Sequence, residues 1–161
     1  MKTSSFLTIG ALVAFAAVNT ASAQTATQTV TFQVTAINQI AVSGSPSLVI
    51  NAAAAGSAPT SVTASGNTWS VTTNHSTASI TASIASAMPA GLTLSANLSA
   101  PAGATSTGLT ALGVTAVNVV TGITKLNSAA LGLTYQLDAT AAAGVVSSST
   151  RVVTYTITGG V

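Results

Sequence analysis

Five side chains hold nearly all the acid–base chemistry of this sequence: Lys2, His75, Lys125, Asp138 and Arg151. A serine triad needs a nucleophile, an imidazole base and a carboxylate to orient it. His75, Asp138 and one of the many serines would supply each type once. No Gly-x-Ser-x-Gly elbow is present to present such a serine. His75 lies in Thr72-Thr73-Asn74-His75-Ser76, which reads as a polar turn behind a strand, and Asp138 reads as a surface or turn residue. The chain has no glutamate and a single aspartate, so one copy cannot build a carboxylate pair for acid–base work. One His and one Asp without cysteine are too few for the usual protein metal centres. The expectation is a protein that is not an enzyme, with no catalytic residues, no cofactor and no metal site.

The scarcity of charge sets the wider frame. Only 2% of residues are charged, against about 25% in ordinary domains. The basic balance comes from a few cations outnumbering one acid, not from clustered Lys and Arg, so no nucleic-acid partner is expected. Near-neutral chains repel one another little and tend to associate. Ser and Thr supply the polar surface instead, at roughly a third of residues 24–161, and Thr suits a pleated sheet because it is β-branched. The high hydrophobic content argues against disorder.

Residues 1–23 read as a secretory signal peptide. Lys2 gives the positive start, Phe6 to Val18 the apolar region, and Ala21-Ser22-Ala23 the small-x-small cleavage pattern. Thirteen apolar residues are too few to span a bilayer core of about 30 Å as a helix. No cysteine lies near the cut to carry a lipid. The remaining residues, 24–161, then form a single domain that does not insert in a membrane after cleavage. The protein is expected outside the cell or on its surface, with the periplasm as the other location.

The elements that must position any site are strands. Period-two alternation recurs along the chain. It runs through Val30-Phe32-Val34, Leu48-Ile50, Trp69-Val71-Thr73, Ile80-Ala82-Ile84, Leu92-Leu94-Ala96-Leu98, Leu133-Tyr135-Leu137-Ala139 and Val153-Tyr155-Ile157. Val114 to Ile123 is less regular, the phase breaks near Asn38-Gln39, and Gly66-Asn67 reads as a turn before Trp69. Gly, Pro, Asn and Ser separate the runs, and no ten-residue helix follows the signal. Eight or nine short strands at this spacing predict an all-β antiparallel sandwich of Ig-like or Greek-key type. Trp69 is expected in the core. No repeat of fixed period supports a solenoid.

Two segments resemble exported bacterial fibre subunits of the pilin-like kind. Gln28-Thr29-Val30-Thr31-Phe32-Gln33-Val34-Thr35 looks like an N-terminal donor strand, and Arg151-Val152-Val153-Thr154-Tyr155-Thr156-Ile157-Thr158 like a closing edge strand. The resemblance implies that residues 24–36 form a donor or edge strand, and that Val30, Phe32, Val34, Val153, Tyr155 and Ile157 mediate assembly. Departures are plain: there is no cysteine for the disulfide common in chaperone–usher pilins, no retained helix with a glutamate, and no sortase signal.

The resulting expectation is a secreted structural protein, a subunit of a surface filament, sheath or extracellular matrix assembled by β-strand pairing. Its partners would be further copies of itself or other surface proteins. The alternative is a monomeric glycan- or cell-wall-binding β-sandwich module, which would need an aromatic platform drawn from Phe32, Trp69, Tyr135 and Tyr155. A third class, ice or mineral binding by Thr rows such as Thr154 and Thr156, would need a repeated array. Intact mass of the exported protein should place its first residue at Gln24; a retained Met1–Ala23 segment would remove the signal-peptide reading.

Overall fold

The computed structural model describes residues 22–160; the signal assignment falls on residues that lie almost wholly outside this range. Of the described residues, 34–160 belong to the compact body and 22–33 to a separate unit. Nine strands occur among the described residues: β1 (Asn38–Ser43), β2 (Val62–Thr73), β3 (Thr77–Ile84), β4 (Leu92–Leu98), β5 (Thr105–Ser106), β6 (Thr110–Ala111), β7 (Val117–Ile123), β8 (Leu126–Ala139) and β9 (Val153–Gly160). A single 3₁₀ turn covers Ala141–Ala143. The strands form two antiparallel sheets in a sandwich-like arrangement, ordered β1-β2-β8-β4-β6 and β5-β7-β3-β9.

The alternation explains which face turns inward. On β3, Ala78, Ile80, Ala82 and Ile84 are buried while Ser79, Thr81 and Ser83 face out. Trp69 and Val71 on β2, Leu133 and Tyr135 on β8, and Leu94, Ala96 and Leu98 on β4 meet them from the first sheet. Trp69 is core, as its place in an alternating strand implies, at 1% exposure. Its indole N–H has no hydrogen-bond partner among the described residues. An unmade buried bond of this kind costs about 1–3 kcal/mol, which the buried ring area offsets. On β7, Val119 and Val120 are both fully buried, so the irregular pattern there reflects a strand whose pairing with β3 shifts register around Ile80.

Three expectations need correction. Gly66-Asn67 is no turn: β2 continues through it, and the register against β8 shifts between Ala64 and Asn67. The bulge has a local cause. Gly66 takes φ +86°, while buried Asn67 turns back to donate from Nδ2 to the Ala64 carbonyl at 3.2 Å. Asn67 also fills the space beside Gly44, where a Cβ would collide with its Oδ1. Second, Leu48–Ile50 forms no strand. Third, Thr29–Thr35 forms none either. In both segments alternation is present and the ladder partner is missing.

One polar bond joins the sheets through the core. The Tyr155 hydroxyl on β9 donates to the Tyr135 hydroxyl on β8 at 2.9 Å. Burial pushes the pKa of both phenols up. The bond adds to the rise for its donor, Tyr155, and lowers the acceptor, Tyr135. A phenol whose folded pKa lies above its unfolded value of about 10 stabilises the fold fully below that pH and loses its contribution as pH rises further. These are the only two tyrosines in the chain. Phenolate absorbance should therefore stay silent past pH about 10 and then rise together with loss of β-sheet circular dichroism. A free titration near pH 10 with the sheet intact would contradict the buried pair.

Candidate assembly site

The residues with catalytic types do not meet. Asp138 sits in β8, not in a turn, beside the start of β2, where Val62 pairs with Leu137. It accepts hydrogen bonds from Ser61 Oγ and from Gln136 Nε2, the latter at 2.9 and 3.1 Å. His75 follows the far end of β2. At the rise of an extended strand the two stand roughly 35 Å apart. His75 Nδ1 lies 2.9 Å from the Gly160 carbonyl, and a Cβ at Gly159 would strike its ring at 2.7 Å. In one copy the imidazole thus pins the end of β9, and the carboxylate ties β8 to the residue entering β2.

Of the six assembly candidates, the structure divides three from three. Every residue from 22 to 37 is exposed, and Val30, Phe32 and Val34 stand at 72%, 89% and 78% exposure. Each of these apolar side chains has lost the burial that its alternation calls for. The chain is held where it enters β1. Asn74 Oδ1 accepts from the Ile37 amide at 2.8 Å, and Asn74 Nδ2 donates to the Thr35 carbonyl at 2.7 Å. Beside it, Thr73 Oγ1 donates to Asn38 Oδ1 at 2.6 Å. Sequence reasoning missed the role of Asn74. Its only signal is an Asn placed directly after a strand, where its side chain reaches neighbouring backbone.

Val153, Tyr155 and Ile157 lie on β9, point inward and are half-buried, with Thr154, Thr156 and Thr158 exposed on the other face. β9 pairs with β3 along all eight residues and, among the described residues, has no strand on its other side. Every second residue therefore turns its N–H and C=O outward, unpaired. β1 is likewise the open edge of the first sheet. The two edges share one flank, since β1 packs near β9 and the Asn38 amide sits where a Gly159 Cβ would reach it at 2.8 Å. On β1, Ile40 is half-buried and Val42 exposed. The opposite edges, β5 and β6, are two residues long. Short length is one way proteins blunt an edge, and charges and prolines are others. Neither β1 nor β9 contains a charge or a proline.

The flank continues beyond the paired strands. Pro46–Asn51 follows β1 and Val146–Thr150 leads toward β9, and between them lies a cleft of about 840 Å³. Leu48, Met88, Leu92, Leu137 and Val146 contribute its apolar lining. The backbones of residues 46–51 and 145–150 make no backbone hydrogen bonds among the described residues.

The surface offers little of the other candidate chemistries. Among Phe32, Trp69, Tyr135 and Tyr155, only Phe32 has an exposed ring. On the outer face of the second sheet, Thr154, Thr156 and Thr158 stand opposite Ser83, Thr81 and Ser79. Thr158 and Ser79 hydroxyls lie 3.2 Å apart. The ordered hydroxyl rows are two strands deep before Asn118 of β7 follows opposite Thr81. No family model, curated protein or solved structure matches this chain.

Proposed function

We propose that this chain is an exported structural protein, a subunit of a surface filament, sheath or extracellular matrix that assembles by β-strand pairing. One observation carries the reading: an exposed, alternating apolar segment at Val30-Phe32-Val34 belongs to the same chain as a long, uncharged, unpaired sheet edge at β9. An unguarded edge is a template for another strand. In strand addition, backbone bonds supply affinity and alternate side chains set register.

The magnitudes fit an assembly of many weak junctions. Burying three such side chains yields on the order of 5–9 kcal/mol gross. Association costs an estimated 4–15 kcal/mol in lost freedom and ordering. Side-chain burial alone is therefore marginal, and a ladder of backbone bonds has to supplement it. The near-absence of charge removes the repulsion that keeps most soluble chains apart. The monomeric glycan- or cell-wall-binding alternative has only the Phe32 ring to offer on the outside, and no observation favours it.

Phe32→Asp tests the reading. The side chain is exposed, so the variant should unfold within about 0.5 kcal/mol of wild type, as surface substitutions do. Negative-stain microscopy of residues 24–161 should show filaments or sheets for wild type and dispersed particles for the variant. Monodisperse wild-type particles, or a variant that assembles as wild type does, would overturn the proposal.

A further inference from the structure

We infer that β9 pairs antiparallel with β9 of a second copy across a two-fold axis at Thr156, joining two four-stranded sheets into one continuous sheet. This junction rests on the assembly reading above for its role. It begins from the backbone groups that β9 leaves open. The Ala85 amide donates to the Val152 carbonyl at 3.0 Å, while the Ile84 amide turns the other way, to the Gly113 carbonyl at 2.9 Å. The β3–β9 register thus continues one step past the Ile84–Val153 pair. Bonded positions alternate along an antiparallel ladder. Thr154, Thr156 and Thr158 therefore bond to β3, and Val153, Tyr155, Ile157 and Gly159 aim their N–H and C=O groups away from it. Among the described residues no strand receives them.

A second β9 fits this edge best in one register. Directly opposite residues share a face of the sheet. With the axis at Thr156, Val153 stands opposite the partner's Gly159 and Tyr155 opposite the partner's Ile157. Inward residues stay inward in both copies, and every outward-aimed residue of β9 falls in a hydrogen-bonded pair. An axis at Tyr155 or Ile157 also matches the faces, but leaves Gly159 or Val153 without a partner in β9.

The side chains agree with that register. On the outer face Thr156 meets the partner's Thr156, and Thr154 meets the partner's Thr158; threonine pairs across strands are favourable. No like charges oppose one another, because β9 carries none. On the inner face Val153, Tyr155 and Ile157 are half-buried, while Ile80, Ala82 and Ile84 on β3 stand at 0%, 0% and 3% exposure. A strand laid beyond β9 gives it the flanking cover that β3 already has. The hydroxyl rows continue as well. Ser79, Thr158, the partner's Thr154 and the partner's Ser83 fall in one line across four strands.

Both copies use the same strand, so the contact is isologous and closes on itself. It makes pairs and does not propagate. A filament then needs a second, different junction, which the assembly reading assigns to residues 29–35. Pair and filament are therefore separable.

Cysteine cross-linking of the mature chain tests the pair and its register, because the sequence has no cysteine of its own. Thr154, Thr156 and Thr158 are exposed, so a cysteine at each leaves the core untouched. Across a non-hydrogen-bonded pair the Cα atoms lie about 4.5 Å apart, within the span of a disulfide. Each variant is oxidised in dilute solution, with Ala111→Cys on the short β6 edge as control. Thr156→Cys should give a covalent homodimer at several-fold the control yield. Thr154→Cys and Thr158→Cys each stand about 13 Å from their own counterparts. Each alone should stay at the control yield, and the two mixed should give the dimer. Thr156→Lys sets like charges opposite each other at the axis. It should weaken association several-fold in analytical ultracentrifugation with circular dichroism unchanged, and mixing it with Thr156→Asp should restore the pair. The Thr156→Cys dimer should also form in the Phe32→Asp background. A dimer from Thr154→Cys or Thr158→Cys alone would overturn the register. Wild-type filaments together with a control-level Thr156→Cys yield would overturn the pair and leave the assembly reading standing. The Thr156→Cys dimer from a protein whose wild type forms no filaments is the opposite result, which removes the assembly reading and supports the pair.

Discussion

A β-sheet has to end, and where it ends its backbone donors and acceptors point at solvent. That constraint governs this protein more than most, because the usual remedies are absent from its two long edge strands. Lysines on an edge strand, inward-pointing charges and prolines all discourage a second chain from pairing. Here Lys125 and Arg151 are the only cations among the described residues, Asp138 the only acid, and none lies on β1 or β9. The flank bearing β5 and β6 is blunted by brevity. The flank bearing β1 and β9 presents six and eight residues of open edge. The asymmetry between the two flanks is the structural basis of the assembly proposal.

The core makes such an open flank tolerable. Buried apolar side chains from β2, β3, β4, β7 and β8 fill the centre, where each strand has neighbours on both sides. β9 is an edge strand, and the Tyr155–Tyr135 bond ties it across to the opposite sheet. His75 holds its far end through the Gly160 carbonyl. The edge strand is thereby fixed in place without a second ladder. Asn74 performs the corresponding task on the first sheet, holding the backbone on both sides of Ala36 where it joins β1. The side chains whose types suggest catalysis are spent on holding strand ends and neighbouring strands in register, which is what their separation along β2 allows.

Much of this architecture was legible in the sequence, for a definite reason. Alternation reports that a segment wants one dry and one wet face, and at Ile80-Ala82-Ile84, Leu94-Ala96-Leu98 and Val153-Tyr155-Ile157 the chain supplies both. What alternation cannot report is where the neighbouring strand comes from. Thr29–Thr35 and Leu48–Ile50 therefore read as strands and have no ladder in a single copy. The opposite error occurs at Gly66-Asn67. A turn and a bulge ask for the same residues, a glycine with positive φ and a polar neighbour that folds back on the chain, and only the long-range pairing of β2 with β8 distinguishes them. β5 and β6, at two residues each, are too short for any period to register. Of the candidate site, the apolar positions on both terminal segments were readable from spacing. The cleft was not, since residues 46–53 and 140–150 approach one another only in the folded chain.

The central claim is that residues 29–35 gain their strand partner between copies. Amide hydrogen exchange of the mature protein, compared between the dispersed and the assembled state, addresses it directly. The account predicts fast exchange along Thr29–Thr35 in dispersed protein and strong protection of the same amides once assembled, with core amides such as Ile80 and Leu98 protected in both. Protection of Thr29–Thr35 already complete in the dispersed state, or fast exchange persisting there after assembly, would contradict it.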